Sequence, residues 1–183
     1  LAQQAEDFGY PLIRSLSFLY PDDGEALKQD YQFMLGDRIL SAPVISEREG
    51  GARDDIAKGR TTWEVYLPAG NWYHYWTNTK YAGNAYYEVM AAPGFLPMFI
   101  QEGKIIPTFN KEVDTLVEGV EDITIKDFEY VNESMEIYFY GYGKNSLTLW
   151  DGTVINCSRE AGKEGVYEIE NGHGRKYNCV FVD

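Results

Sequence analysis

From Thr62 to the C-terminus the chain is written in short runs that alternate apolar and polar residues, each closed by Gly, Asn, Asp or Pro. That grammar limits the fold more than any other feature, because period two belongs to a half-buried strand and not to a helix. In "TTWEVYLPAGNWYHYW", Trp63, Val65 and Leu67 alternate with polar neighbours, a turn is expected at Pro68 to Asn71, and alternation resumes, which predicts a β-hairpin. "GFLPMFIQEGKIIPTF" adds two short apolar runs split by Glu102 and Gly103. Further on, "DITIKDFEYV", "SMEIYFYGYGKNSLTLWDG", "GVYEIENG" and "RKYNCVFVD" repeat the theme. Met135, Ile137 and Phe139 share one face, a turn follows at "GYGKN", and Leu147 and Leu149 return on the facing strand. The expectation is a mainly β fold with two antiparallel β-sandwiches, residues 38–110 and 111–183, joined by the linker "NKEVDTLVEG". The charged, Gly-rich stretch from Glu47 to Arg60 reads as an exposed loop, with Asp54 and Asp55 solvated rather than holding a metal.

Residues 1–37 read differently. "LAQQAEDFGY" is helix-like, "PLIRSLSFLY" is a continuous apolar strand of the type buried on both faces of a parallel sheet, and Leu27, Tyr31 and Met34 recur at helical intervals before Gly36. Asp22 stands three residues before Glu25, the spacing of a capping box. A helix-strand-helix piece cannot close a core by itself. The chain also opens on Leu1, within what reads as a helix and without an initiating Met, which suggests a piece of something longer.

Charge and composition exclude several functions. A net charge of −13, from 29 acidic and 16 basic side chains, offers no basic patch to a nucleic acid and no attraction to an anionic membrane. No apolar run reaches the ~20 residues of a membrane-spanning helix, and the N-terminal residues do not read as a signal peptide. Cys157 and Cys179 lack metal-ligand spacing; they read as buried thiols, with a disulfide as the alternative. His74 and His173 have no evident nucleophile partner, and the chain contains neither a phosphate loop nor a Gly-x-Ser-x-Gly elbow. No cofactor and no metal are expected, while 29 acidic residues supply many carboxylate pairs for glycoside chemistry, none of which stands out from the rest. The sequons at Asn132 and Asn156 are too short to indicate secretion, and localisation stays open.

One stretch asks for a role. In "GNWYHYWTNTKYAG" an extended strand would send Trp72, His74 and Trp76 to one face and Tyr73 and Tyr75 to the other. One aromatic face belongs in a core. The other suits either packing against a neighbouring domain or stacking of a sugar ring.

"PLIRSLSFLYPDD" at Pro11 to Asp23, "DYQFMLGDRILSAPVI" at Asp30 to Ile45, "VYLPAGNWYHYWTNTKYAG" at Val65 to Gly83 and "PMFIQEGKIIP" at Pro97 to Pro107 resemble consecutive motifs of glycoside hydrolase family 31, the α-glucosidase and α-xylosidase family. Ser15 stands where the family pattern has a second Pro, while Arg14, Leu16 and Tyr20-Pro21 keep their places. The resemblance implies that residues 1–37 end a (β/α)8 barrel, with Pro11 to Tyr20 its last strand, and that a proximal and a distal sandwich follow. It implies a parent that is a retaining α-glycosidase using two Asp residues, a nucleophile and an acid/base, with carboxyls about 5 Å apart. Both Asp motifs, and the family's substrate-contacting His, would precede Leu1, so the chain alone should be inert. Its partners would be the catalytic barrel of the same parent and, for that parent, an α-linked oligosaccharide; a homo-oligomer is left open. Arg14, near the C-terminal end of the expected barrel strand, reads as a buried ion-pair or backbone-binding residue. Trp72, Tyr73, Trp76 and Arg14 are the candidate sugar or interdomain contacts. The alternative is a stand-alone carbohydrate-binding sandwich that stacks sugars on Trp72, Tyr73, Trp76, Tyr86 and Tyr87, with Asn71 or Asn78 as hydrogen-bond donors.

Overall fold

The computed structural model describes residues 1–44, 62–91, 96–109, 124 and 134–183. The loop with Asp54 and Asp55, the linker, most of "DITIKDFEYV" and the sequon at Asn132 lie outside them. The chain is mainly β and divides into two compact units, Leu1–Glu102 and Gly103–Asp183.

In the first unit, helix α1 (Ala2–Phe8) forms where the N-terminal residues predict it. The next segment does not form one long strand. β1 is only Ile13–Ser15, and α2 (Leu16–Leu19) follows at once. The helical turn sends Leu16, Leu19 and Tyr20, spaced i, i+3 and i+4, into one core, which an alternating strand could not do. The expected second helix is replaced too. A single 3₁₀ turn, Ala26–Lys28, forms instead, and the carboxylate that holds the approach to it is that of Asp23 rather than Asp22: its Oδ1 accepts the N–H groups of Glu25 (3.0 Å) and Ala26 (3.1 Å). Leu27 and Tyr31, which a buried helical stripe would hide, are exposed. Met34 instead belongs to β2 (Phe33–Leu35), which pairs with β1 and with β3 (Ile39–Ser41).

β4 (Thr62–Leu67) and β5 (Asn71–His74) do not form the expected hairpin with each other. β4 pairs with β7 (Ala85–Met90), while β5 pairs with β6 (Lys80–Ala82) and β8 (Met98–Gln101). The Pro68–Gly70 stretch is therefore a bend in a long strand, matched by a second bend at Gly83 where β6 passes into β7. The two bends touch. Gly83 donates to the Gly70 carbonyl at 2.6 Å, and a Cβ on Gly83 would collide with the carbonyl oxygens of Pro68 and Gly70, so only glycine fits the crossing. The chain reverses later, where His74 N–H reaches Thr79 O at 2.9 Å and Asn78 adopts a left-handed φ of 55°.

The outcome is a six-stranded antiparallel sheet, ordered β1-β2-β3-β8-β5-β6, covered by the β4–β7 ribbon. Met34, Leu40, Phe99 and Trp72 from the sheet pack with Val65, Leu67 and Val89 from the ribbon. The Gln32 carboxamide clamps the ribbon's backbone, donating to Tyr66 O at 2.7 Å and accepting from Tyr66 N at 2.9 Å.

In the second unit, β10 (Ser134–Tyr140) lies between β9 (Ile105–Phe109), which is antiparallel to it, and β14 (Lys176–Val182), which is parallel to it. A second sheet holds β11 (Gly143–Thr148), β12 (Val154–Arg159) and β13 (Val166–Glu170), all antiparallel. Met135, Ile137 and Phe139 do share the inner face, and they meet Leu147, Ile155 and Cys157 of the other sheet and Leu149 just past the end of β11. The "GYGKN" turn therefore carries the chain from one sheet to the other. Cys157 and Cys179 are free thiols in this core; burial pushes Cys157 up to about 11, and burial with the nearby Cys157 pushes Cys179 up to about 12.

Candidate functional site

The aromatic strand is buried on both faces. Trp72 is 0% exposed and its indole donates to Pro68 O at 2.8 Å, fixing the first bend. Tyr73, on the opposite face, is also 0% exposed; its hydroxyl donates to Glu102 Oε1 at 3.3 Å and Lys80 Nζ lies 5.3 Å from its ring centroid. Neither ring offers a face to a sugar. His74 is buried too, with Nδ1 3.0 Å from Thr77 Oγ1 and its ring edge-on to Phe99. Burial holds its pKa below the ordinary value, favouring the uncharged imidazole. The strand ends there, and alternation ends with it. Trp76 sits in the following turn, 45% exposed, with its indole N–H on Leu96 O at 2.8 Å and Tyr75 edge-on to it.

Glu102, at the end of the first unit, collects this strand's polar tips. Its carboxylate accepts from Lys80 (2.6 Å), Asn71 (2.5 Å) and Tyr73. Burial alone would raise its pKa; the hydrogen bonds from Lys80 and Asn71, with the Lys80 charge, outweigh burial and hold the carboxyl below its ordinary value. Sequence reading assigns Glu102 only to a break between two strands; the signal that it closes a cluster is the pairing of Trp72 with Gln101, which sets Glu102 beside Asn71.

Arg14 is 4% exposed and binds backbone, with Nε on Pro11 O at 2.9 Å and a terminal nitrogen on Gln4 Oε1 at 2.9 Å. Its guanidinium lies 5.3 Å from the Tyr10 ring centroid and 5.8 Å from that of Phe18. Arg14 and the aromatic strand are not brought together: β1 and β5 are separated by three strands of the sheet.

The sheet has a second apolar face. Cross-strand register places Ile13, Leu35, Ile39, Ile100 and Tyr73 in one row and Phe33, Ser41 and Met98 in the next, on the side away from Met34, Leu40 and Phe99. Ile13 is 60% exposed, and Phe33, Leu35, Ile39 and Met98 are half-buried. Phe8, Tyr10, Leu12 and Phe18 are exposed in the same unit. On the same side Tyr73 pairs with Lys80, and Asn71 and Glu102 gather beside them, so the β5–β6 end of this face is polar and its apolar part lies on β1, β2, β3 and β8.

A model of the glycosyl hydrolase family 31 C-terminal domain matches residues 9–106. The chain belongs to glycosyl hydrolase family 31. Among its relatives, alpha-glucosidase 2 of Bacillus thermoamyloliquefaciens is 32% identical over 162 residues, covering 88% of this chain and 18% of that protein. An alpha-xylosidase of Saccharolobus solfataricus is 30% identical over 139 residues, covering 75% of this chain and 18% of that protein. The chain thus spans less than a fifth of either relative. The family 31 dextranase of Flavobacterium johnsoniae, solved in complex with glucose, superposes with a TM-score of 0.64 at 26% identity, over 86% of this chain and 19% of that one. The family 31 alpha-xylosidase of Xanthomonas citri, at 22% identity, shares the fold over 100% of this chain and 20% of its own, with a TM-score of 0.69. The family match covers the six-stranded sheet, its ribbon and both bends.

Proposed function

We propose that this chain is the C-terminal part of a retaining α-glycosidase, an α-glucosidase or α-xylosidase of carbohydrate metabolism, and that it supports the catalytic barrel without supplying a catalytic carboxylate. The observation that carries this reading is the second apolar face of a sheet that lies within the match to the family's C-terminal domain. A face lined by Ile13, Phe33, Leu35, Ile39 and Met98 suits burial against another domain of the same protein.

Four carboxyls among the described residues have a structural task. A retaining glycosidase needs one carboxyl that keeps its proton near neutral pH and a second about 5 Å away. Asp23, Glu25, Glu102 and Asp151 are all displaced the other way, below their ordinary values. For Asp23, Glu102 and Asp151 burial pushes upward and is outweighed by hydrogen bonds: Tyr66 and two backbone N–H groups on Asp23, Lys80 and Asn71 on Glu102, Thr153 and Arg175 on Asp151. In Glu25 the hydrogen bonds from Lys28 and Tyr86 dominate. These groups act as fixed acceptors, a structural task.

The second apolar face can be tested by charge. Ile13→Asp in this chain should change stability by less than about 0.5 kcal/mol, as for an exposed site. In the longer protein the same substitution should lower both melting temperature and glycosidase activity. An equal, small effect in both would contradict docking through this face.

A further inference from the structure

Among the described aromatic residues of the second unit, Trp150 is the most exposed. Trp150 lies in the turn between β11 and β12 and is 57% exposed. Its backbone is held by a closed turn, with Leu149 N–H on Thr153 O at 2.8 Å and Thr153 N–H on Asp151 Oδ1 at 3.0 Å. On one side of the indole lies Arg175, its Cζ 5.3 Å from the ring centroid, and Phe109 meets the ring near-perpendicularly with centroids 6.3 Å apart. Arg175 is itself buried and anchored, donating to Asp151 Oδ2 at 2.9 Å and to the Tyr177 hydroxyl at 3.1 Å. The buried, hydrogen-bonded Arg175 and the Phe109 ring thus hold the indole while the residue stays 57% exposed. Leaving so much apolar surface wet forgoes burial energy, and a ring ordered in advance loses little freedom when something stacks on it.

The rim is polar. The turn between β13 and β14 brings Asn171 and His173, both exposed and both with left-handed backbone (φ 54° and 52°), beside the Trp150 turn. His173 Nε2 lies 3.1 Å from Asp151 O, and Thr153 Oγ1 donates to Asn171 O at 3.0 Å, so the two turns are hydrogen-bonded to one another. An aromatic ring held from one side, beside a turn that carries the exposed residues Asn171 and His173, suits a pyranose ring, whose C–H face stacks while its hydroxyls exchange hydrogen bonds at the edge.

We propose that Trp150, with Asn171 and His173 on its rim, forms a binding platform for an α-linked glucan. The choice of glucan rests on the α-glycosidase reading above; the platform itself rests on the geometry of the two turns. Titration of this chain with maltoheptaose, and separately with isomaltotriose, followed by the indole N–H signals of Trp63, Trp72, Trp76 and Trp150, tests it. The Trp150 signal is assigned by its loss in Trp150→Phe. Saturable movement of that signal, with Kd of roughly millimolar size, is expected, together with at least about fivefold weaker binding by Trp150→Ala. The wild-type titration alone decides the matter if Trp150→Ala fails to fold. A Trp150 signal unmoved by either sugar at about ten times that concentration, or movement confined to Trp76, would overturn the platform. Turnover by the longer protein is measured independently, so a failed platform and a failed α-glycosidase reading give different results.

Discussion

The two units use tryptophan in opposite ways. In the first, Trp72 is sealed in the core with its N–H on Pro68 O, so the indole fixes a bend of the backbone. In the second, Trp150 stands outside the core, held from one side by the buried guanidinium of Arg175. The difference teaches that an aromatic-rich stretch is not evidence of a ligand platform. What counts is whether the ring's polar edge is used to close the protein's own backbone or the ring is held at the surface, as Trp150 is at 57% exposure.

The largest effect should come from breaking the first arrangement. Trp72→Ala removes a fully buried indole and its hydrogen bond and should cost about 3–5 kcal/mol in urea unfolding, whereas a loss below about 1 kcal/mol would mean that the bend does not depend on it. Next comes the support of the second arrangement. Asp151→Ala leaves the Arg175 guanidinium buried without this carboxylate and should cost about 3 kcal/mol. The Trp150 indole N–H signal, followed through a urea series in wild type and variant, reports that loss.

Acid should then separate the units. Glu102 and Asp23 in the first and Asp151 in the second have folded pKa values below their ordinary ones, so their stabilisation is complete above about pH 4 and is lost as pH falls through the depressed values. His74 adds a loss in the first unit alone. Its folded pKa is depressed by burial, the unfolded chain takes up the proton first, and stability declines as pH falls below about 6.5. Unfolding free energy measured from pH 8 to 5 should therefore slope downward in wild type and flatten in His74→Gln. The smallest effect belongs to Trp76→Ala, which should cost under about 1 kcal/mol because the ring is already half in water.

Much of the fold is legible in the residues, and the failures share one cause. Val65 with Leu67, and Met135 with Ile137 and Phe139, announce inner faces because period two survives wherever one side of a strand is buried. Partner choice is not local. Pro68–Gly70 carries a turn signal whether the chain reverses or bends, and the deciding residue is Gly83, on the opposing strand. Leu27, Tyr31 and Met34 have helical spacing by accident, and pairing of β2 with two neighbours overrides it. The two-faced aromatic strand is correctly a strand, yet the exposure of Trp76 follows from the strand's end at His74, which alternation alone cannot locate. Nothing in the sequence around Trp150 marks it as a surface ring; Arg175, delivered by the β13–β14 turn, and Phe109 hold it there.

The most direct measurement is release of nitrophenol from 4-nitrophenyl α-glucoside and α-xyloside by this chain, run beside the longer protein that contains it. A support without catalytic carboxylates gives no turnover alone and clear turnover in the longer protein. Turnover by the 183-residue chain itself would mean that a carboxylate pair within it does the chemistry, and would contradict the assignment of this chain as a support.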